Sequence, residues 1–202
     1  MDNDLDLLKK ELEELGEREQ VPILRAAERD LLLAVAAEAN PQKILEIGTA
    51  IGYSSLLLGE RFKDAEIDTI EVDEKRHGLA QKVMERAGLA GRVHCHLGDA
   101  ARIIPDLKGP YDFVFLDGPK GQYLRELKAI EPLLSEKAVI AADNVLFRGL
   151  VKAEGPVPHR YRTLVMRLRE YIDYVTDRYE TVIHEEGDGM AVSKKLGVRS
   201  EE

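Results

Sequence analysis

Between residues 43 and 143, short apolar runs alternate five times with segments of helical period, and few folds accommodate that pattern. The runs are "KILEIG" (43–48), "EIDTIEV" (66–72), "RVHCHLG" (92–98), "YDFVFLD" (111–117) and "KAVIAAD" (137–143). Between them lie "YSSLLLGERF", "EKRHGLAQKVMERAG", "DAARIIPDL" and "GQYLRELKAIEPLL". Strands joined through helices by short connections predict an α/β fold, a doubly wound parallel sheet with helices on both faces. After residue 158 the pattern changes. Segment 159–175 reads as a helix, and "YETVIHEE" and "GMAVSKK" read as strands meeting at "GDG", a joint that suits a tight antiparallel hairpin. Upstream, leucines 5, 8, 12 and 15 predict a helix over 3–16 closed by Gly16, and a second helix is expected over 22–39, stopped by Asn40-Pro41. Residues 1–40 would form a helical cover and 145–160, rich in proline and glycine, a mobile loop over the sheet edge.

The 202 residues fit one domain, 1–202, with a full core. No apolar run is long enough to span a bilayer, and the acidic, charged opening "MDNDLDLLKKELEELGERE" is unlike a secretory signal. The single Cys95 has no intramolecular disulfide partner, so the expected setting is the reducing cytoplasm. A net charge of −9 argues against bulk, non-specific binding of nucleic acid but leaves room for a local basic patch.

The ends of the apolar runs carry the chemistry. "LEIGTAIGYSS" (45–55) follows the first strand and opens a helix, with Gly48 and Gly52 allowing a tight turn and close approach of backbone to ligand. It lacks the Lys-Ser/Thr ending of a phosphate loop and the spacing of a dinucleotide fingerprint, so an adenosyl ligand without a pyrophosphate is expected. Glu46, just before the turn, would suit an ammonium group. Glu71 ends the second strand and can accept two ribose hydroxyls; Asp99, after the third, can accept from an adenine amino group. Glu71 could instead be a helix N-terminal carboxylate facing the dipole of the helix that follows it.

A strand this apolar has no use for an unpaired charge, yet "YDFVFLD" ends in Asp117 and "KAVIAAD" in Asp143, followed by Asn144. The tips of these strands should be neighbours. Two carboxylates and an amide make a hard oxygen set suited to Mg²⁺ or a similar cation. Lys120 would lie beside it, where like charge favours loss of its proton and so a role as general base.

Together "LEIGTAIGYSS", "TIEVD", "GDA", "FLDGPKGQY" and "ADNV" resemble the cation-dependent O-methyltransferases that use S-adenosylmethionine, the catechol and caffeoyl-CoA group. The resemblance implies a Rossmann-like methyltransferase sheet. It implies that Glu46, Gly48, Thr49 and Ser54 hold the methionine part of the donor, with Leu24 lining its pocket. Glu71 would hold the ribose, and Asp99 and Ala100 the adenine. Asp117, Asp143 and Asn144 would bind Mg²⁺, Asp117 also lying near the donor, and Lys120 would be the catalytic base. Catechol O-methyltransferases carry an aromatic residue just before that lysine; here it is Pro119, after Gly118, which should open the pocket. "VPI" (21–23), "KGQY", "DNVLFRGLV" and "GDGMAVSKK" are similar to the bacterial branch that resembles tRNA 5-hydroxyuridine methyltransferases. That implies tRNA as substrate, 5-methoxyuridine at the wobble position as product, and a homodimer.

Arg148, Lys152, His159, Arg160, Arg162, Arg167 and Arg169 form a basic stretch just after the metal candidates. Arg148, Arg160 and Arg162 could meet phosphates and Tyr161 could stack on a base; a solvated helix face reads the charges equally well. Two other functions fit the same residues: an O-methyltransferase of small catechol-like or phenolic molecules, and a non-catalytic adenosyl-binding protein. His94 and His96 share a strand face without enough further ligands for zinc.

Overall fold

The computed structural model describes residues 2–195. Strands β1 (Lys43–Ile47), β2 (Glu66–Glu71), β3 (Val93–Leu97), β4 (Tyr111–Leu116) and β5 (Leu134–Ala142) run parallel, and β6 (Tyr179–His184) and β7 (Met190–Lys195) close the sheet as an antiparallel hairpin. The order β3-β2-β1-β4-β5-β7-β6 reverses direction between β1 and β4, which opens a crevice at the strands' carboxyl ends. This is the doubly wound sheet that the alternation predicts, with the expected antiparallel hairpin at its edge.

Helices α1 (Asp2–Glu19), α2 (Ala26–Ala39), α3 (Tyr53–Arg61) and α4 (Glu74–Arg86) cover one face; α5 (Ala100–Ile103), α6 (Tyr123–Ile130) and α7 (Arg162–Arg178) cover the other. Alternate residues of β4 serve the two layers: Phe113 and Phe115 pack with Leu32, Leu56 and Met84, while Val114 and Leu116 pack with Leu127, Val165 and Leu168. Every residue of β4 is buried, hence its apolar run from Phe113 to Leu116; the buried Asp112 at its start accepts from Gln42 N at 2.9 Å. Leu8 and Leu12 of α1 are buried in the first layer, against which this helix packs.

Several boundaries differ from the sequence expectation, among them α7, which runs Arg162–Arg178 rather than 159–175, and three have a visible physical reason. Helix α1 continues through Gly16 to Glu19, because Gly16 packs under the returning chain, where an added Cβ would lie 3.2 Å from the Val21 carbonyl oxygen. Helix α2 begins at Ala26 rather than near Pro22, since the Glu28 carboxylate accepts from Arg25 N at 2.8 Å and sets the start there. Residues 21–25 are therefore free of helix and reach the crevice. Strand β5 starts at Leu134, which pairs with Tyr111 across a register shift.

The segment after β5 is tied down along its first half. Val145, Leu146 and Val151 are buried, and Arg169 donates to the Val151 carbonyl at 2.9 Å and the Ala153 carbonyl at 3.0 Å. The β6–β7 turn holds it from the other side: Val145 N donates to Gly189 O at 3.0 Å and Leu146 N to Asp188 O at 2.9 Å. Gly189, at φ +82, allows this approach, since a Cβ there would sit 2.4 Å from Leu146 Cγ. Among the described residues, no helix is long and apolar enough to cross a membrane.

Candidate active site

The crevice at the β1/β4 switch point holds a cavity of about 330 Å³. Its wall takes in the β1 turn at Gly48 and Ala50, the β2 tip at Glu71 and Val72, the β3 tip at Asp99 and Ala100, the β4 tip from Asp117 to Lys120, and Asn144 after β5. Five successive strand ends thus meet in one place, as the polar residues closing the apolar runs predict.

Gly48 brings the first two strands of the site together. Its φ is +100, and a Cβ there would fall 2.5 Å from the Asp117 carbonyl oxygen and 2.8 Å from Gly118 N. Only glycine lets the β1 turn lie against the β4 tip. Glu71 faces this turn, Oε2 accepting from Ala50 N at 2.8 Å and Oε1 from Asp73 N at 2.9 Å. Those bonds fix the carboxylate in the wall, and each oxygen keeps a second lone pair for a ligand hydroxyl. Asp99 Oδ1 accepts from Ala101 N at 2.8 Å, so its helix-capping role is real and coexists with its place on the wall.

Glu46, expected to meet a ligand ammonium, lies elsewhere. It is fully buried under the turn and accepts from Ser54, from Ser55 and, at 2.6 Å, from Thr69; Thr69 also bonds Thr49 at 2.5 Å. Burial pushes its carboxyl up, while the three hydroxyls oppose the shift. Glu46 is the floor of the turn; one of its hydroxyl partners, Ser54, lines a small recess off the main cavity together with Leu24, Thr49 and Asp117.

Asp117, Lys120 and Asn144 share the cavity wall, with Asp143 buried directly behind. Asp143 Oδ1 accepts from Asn144 N at 2.7 Å, and Asn144 adopts φ +55, a left-handed conformation that turns its side chain back toward the crevice edge. Buried Tyr123 donates to the Asp143 carbonyl at 3.0 Å and stacks edge-on against Tyr171, locking that corner. Burial and then the neighbouring Asp143 carboxyl hold Asp117 well above the usual carboxylate range, with the Lys120 charge opposing them. Burial likewise pushes Asp143 up to about 6, opposed by its bond from Asn144 N. Two carboxyls crowded at one buried corner against a single amine fit a hard divalent cation, whose charge would relieve both. Among the described residues no three His, Cys, Asp or Glu side chains group to hold a metal, so the set depends on the Asn144 amide.

The basic stretch divides in two. Arg169 and Arg162 spend their guanidinium groups on loop carbonyls, Arg162 on Val157 O at 3.2 Å, and Arg167 pairs with Glu170 at 2.9 Å. Arg148 and Arg160 are exposed and lie over the Tyr161 ring, 5.9 and 4.6 Å from its centroid, with Phe147 edge-on to that ring at 5.2 Å. None of Arg148, Arg160, Tyr161 and Arg162 lines the cavity. Helix α7, which continues the chain after Tyr161, does approach it: Leu164 lies 3.9 Å from where a Cβ of Gly121 would be, next to Lys120. His94 and His96 meet carboxylates, Glu66 at 3.7 Å and Asp68 at 2.8 Å, as ordinary sheet contacts.

Pro22, Val72, Gln122 and Glu126 also border the cavity, and the sequence alone gives none of them a role there. Val72 is 65% exposed, an apolar surface beside Glu71 against which a flat ring can lie. Glu126 left one trace in the sequence, an acid on the apolar stripe of Tyr123, Leu127 and Ile130.

Comparison with known proteins agrees with this geometry. A catechol O-methyltransferase of Niastella koreensis is 36% identical over 128 residues, a match covering 61% of this chain and 57% of that enzyme. The crystal structure of a candidate caffeoyl-CoA O-methyltransferase from Staphylococcus aureus superposes with a TM-score of 0.85 at 29% identity, covering 93% of this chain and 92% of that one. The O-methyltransferase TomG of Streptomyces achromogenes, involved in tomaymycin synthesis and solved with S-adenosylmethionine, superposes with a TM-score of 0.80 at 26% identity over 98% of this chain and 91% of its own. The sequence pattern of the O-methyltransferase family matches residues 3–196. With that match over a sheet and a crevice of this form, the chain belongs to the O-methyltransferase family, enzymes that move a methyl group from S-adenosylmethionine to an oxygen.

Proposed function

We propose that this O-methyltransferase depends on Mg²⁺ or a similar divalent cation and methylates 5-hydroxyuridine at the wobble position of tRNA, giving 5-methoxyuridine. The observation that carries the reading is the pair of exposed guanidinium groups, Arg148 and Arg160, against the half-buried Tyr161 ring, with Phe147 edge-on to that ring. Two cations flanking an aromatic ring suit a polynucleotide, whose phosphates and bases need both.

In this reading the Glu71 carboxylate takes the ribose hydroxyls, Asp99 and Ala100 border the adenine, and Leu24, Thr49 and Ser54 surround the methionine part. Asp117, Asp143 and Asn144 would hold the cation. When bound, S-adenosylmethionine supplies an electrophilic methyl group and the cation acidifies a hydroxyl held beside it. The 5-hydroxyl and 4-carbonyl of the modified uridine form a vicinal oxygen pair that can face the Asp117–Asn144 corner. Lys120 takes the hydroxyl proton. The chain's further contribution is alignment: Gly48 lets the donor turn and the β4 tip lie together, so oxygen and methyl meet in line and positioning supplies much of the rate. A C–S bond breaks as the O–CH₃ bond forms, and the neutral thioether leaves.

Mass spectrometry of tRNA nucleosides from cells lacking the protein tests this. Loss of 5-methoxyuridine with accumulation of 5-hydroxyuridine supports it; an unchanged profile refutes it. The second reading, a small catechol-like or phenolic acceptor, is favoured by the likeness to a catechol O-methyltransferase. Pro119 in place of an aromatic residue weighs against it, since a small flat ring is then held on fewer sides.

A further inference from the structure

We infer that Glu126 is the specificity residue that reads the 6-amino group of the donor's adenine. The inference rests on the reading of the Asp99–Ala100 edge as the adenine subsite. Glu126 lies in the first turn of α6, on the stripe that packs the helix into the core, and is 2% exposed. It nevertheless borders the cavity, beside Gly98, Asp99, Ala100 and Gln122. Its Oε2 is shut off from water and has no hydrogen-bond partner among the described residues. The adjacent cation does not satisfy it: Arg125 donates to Gln122 Oε1 and stands 3.8 Å from Asp99 Oδ1.

A buried carboxyl without a donor costs stability in the free protein. The cost is recovered when a ligand brings an N–H to it. On the adenine edge of this cavity, the exocyclic amine is the group that does so. Asp99 is the rival acceptor, but its Oδ1 already takes Ala101 N at 2.8 Å and its side chain is 47% exposed, so water competes for it. Discrimination against an analogue comes from the buried polar group that the analogue leaves unpaired, and that group is Glu126. Burial also pushes its carboxyl up to about 7, so near neutral pH both forms are present. Either form accepts from the amine, and the neutral form can also donate to a ring nitrogen.

The test is calorimetric binding of S-adenosylhomocysteine and of S-inosylhomocysteine, in which a carbonyl replaces the amine, to wild type, Glu126→Leu and Glu126→Gln. Wild type should prefer the adenosyl compound by roughly tenfold or more. Glu126→Leu should lose about tenfold for the adenosyl compound and less than about threefold for the inosyl one, collapsing the preference. Glu126→Gln, which keeps an acceptor, should hold the adenosyl affinity within about threefold. Equal weakening of both compounds in Glu126→Leu, especially with a lowered Tm of the ligand-free protein, would make the residue merely structural and overturn the assignment. So would a wild-type preference that survives in Glu126→Leu. Wild type failing to bind S-adenosylhomocysteine at all would instead overturn the donor-site reading, and this assignment with it.

Discussion

Lys120 stands on the cavity wall with Asp117 and Asn144, and its charge acts on both Asp117 and Asp143. Lys120→Ala should lower methyl transfer by about 10²–10⁴-fold, the usual worth of a positioned general base. Donor affinity, measured with S-adenosylhomocysteine, should stay within about threefold. Equal loss of both would make the lysine a binding group only. Glu126 gives a pH-dependent prediction. Burial pushes its carboxyl up to about 7, above the ordinary glutamate value of 4.5. Above about pH 7 the carboxylate is ionised in both states and the fold bears the full cost; below about 4.5 it is neutral in both and the cost vanishes. Glu126→Gln should therefore unfold at higher denaturant than wild type at pH 8, by about 2–3 kcal/mol, with the gain shrinking toward zero at pH 4. A gain that persists undiminished at pH 4 would contradict the burial account.

At the scale of elements, the site is made by strand tips held against one another, and Gly48 is where that contact is tightest. Gly48→Ala would drive a Cβ to within 2.5 Å of the Asp117 carbonyl oxygen at φ +100. It should cost about 2–4 kcal/mol in denaturant unfolding and weaken donor binding at least tenfold, while an unaltered protein would show that the turn tolerates a side chain. These tips were legible in the sequence because a polar residue closing an apolar run has few structural uses, and Glu71, Asp99, Asp117 and Asn144 all line the crevice. The start of α2 was not legible: Pro22 is a good first-turn residue, but the Glu28–Arg25 bond places the helix start later. Nor was the fate of Glu46. Its place before the glycine turn is visible in the sequence, whereas its capture by Ser54, Ser55 and Thr69 depends on contacts between β1, α3 and β2. The basic stretch shows the same limit, since composition cannot separate Arg169, which pins a loop, from Arg148 and Arg160, which stay exposed.

For the whole molecule, the contrast is between a net charge of −9 and the cationic, aromatic patch at Arg148, Arg160 and Tyr161. An acidic surface repels polyanions, so a tRNA substrate of the kind proposed would approach through the patch. The double variant Arg148→Ala, Arg160→Ala should raise KM for tRNA about tenfold and flatten its salt dependence, leaving affinity for S-adenosylhomocysteine unchanged; equal weakening of both would contradict the patch's role. The most direct measurement is methyl transfer from S-adenosylmethionine to tRNA carrying 5-hydroxyuridine, with purified protein, with and without excess chelator. Formation of 5-methoxyuridine that stops in chelator and returns with Mg²⁺ is the expected result. Transfer that continues undiminished in excess chelator would contradict the grouping of Asp117, Asp143 and Asn144 around a cation, and failure on this tRNA alongside turnover of a catechol would contradict the substrate.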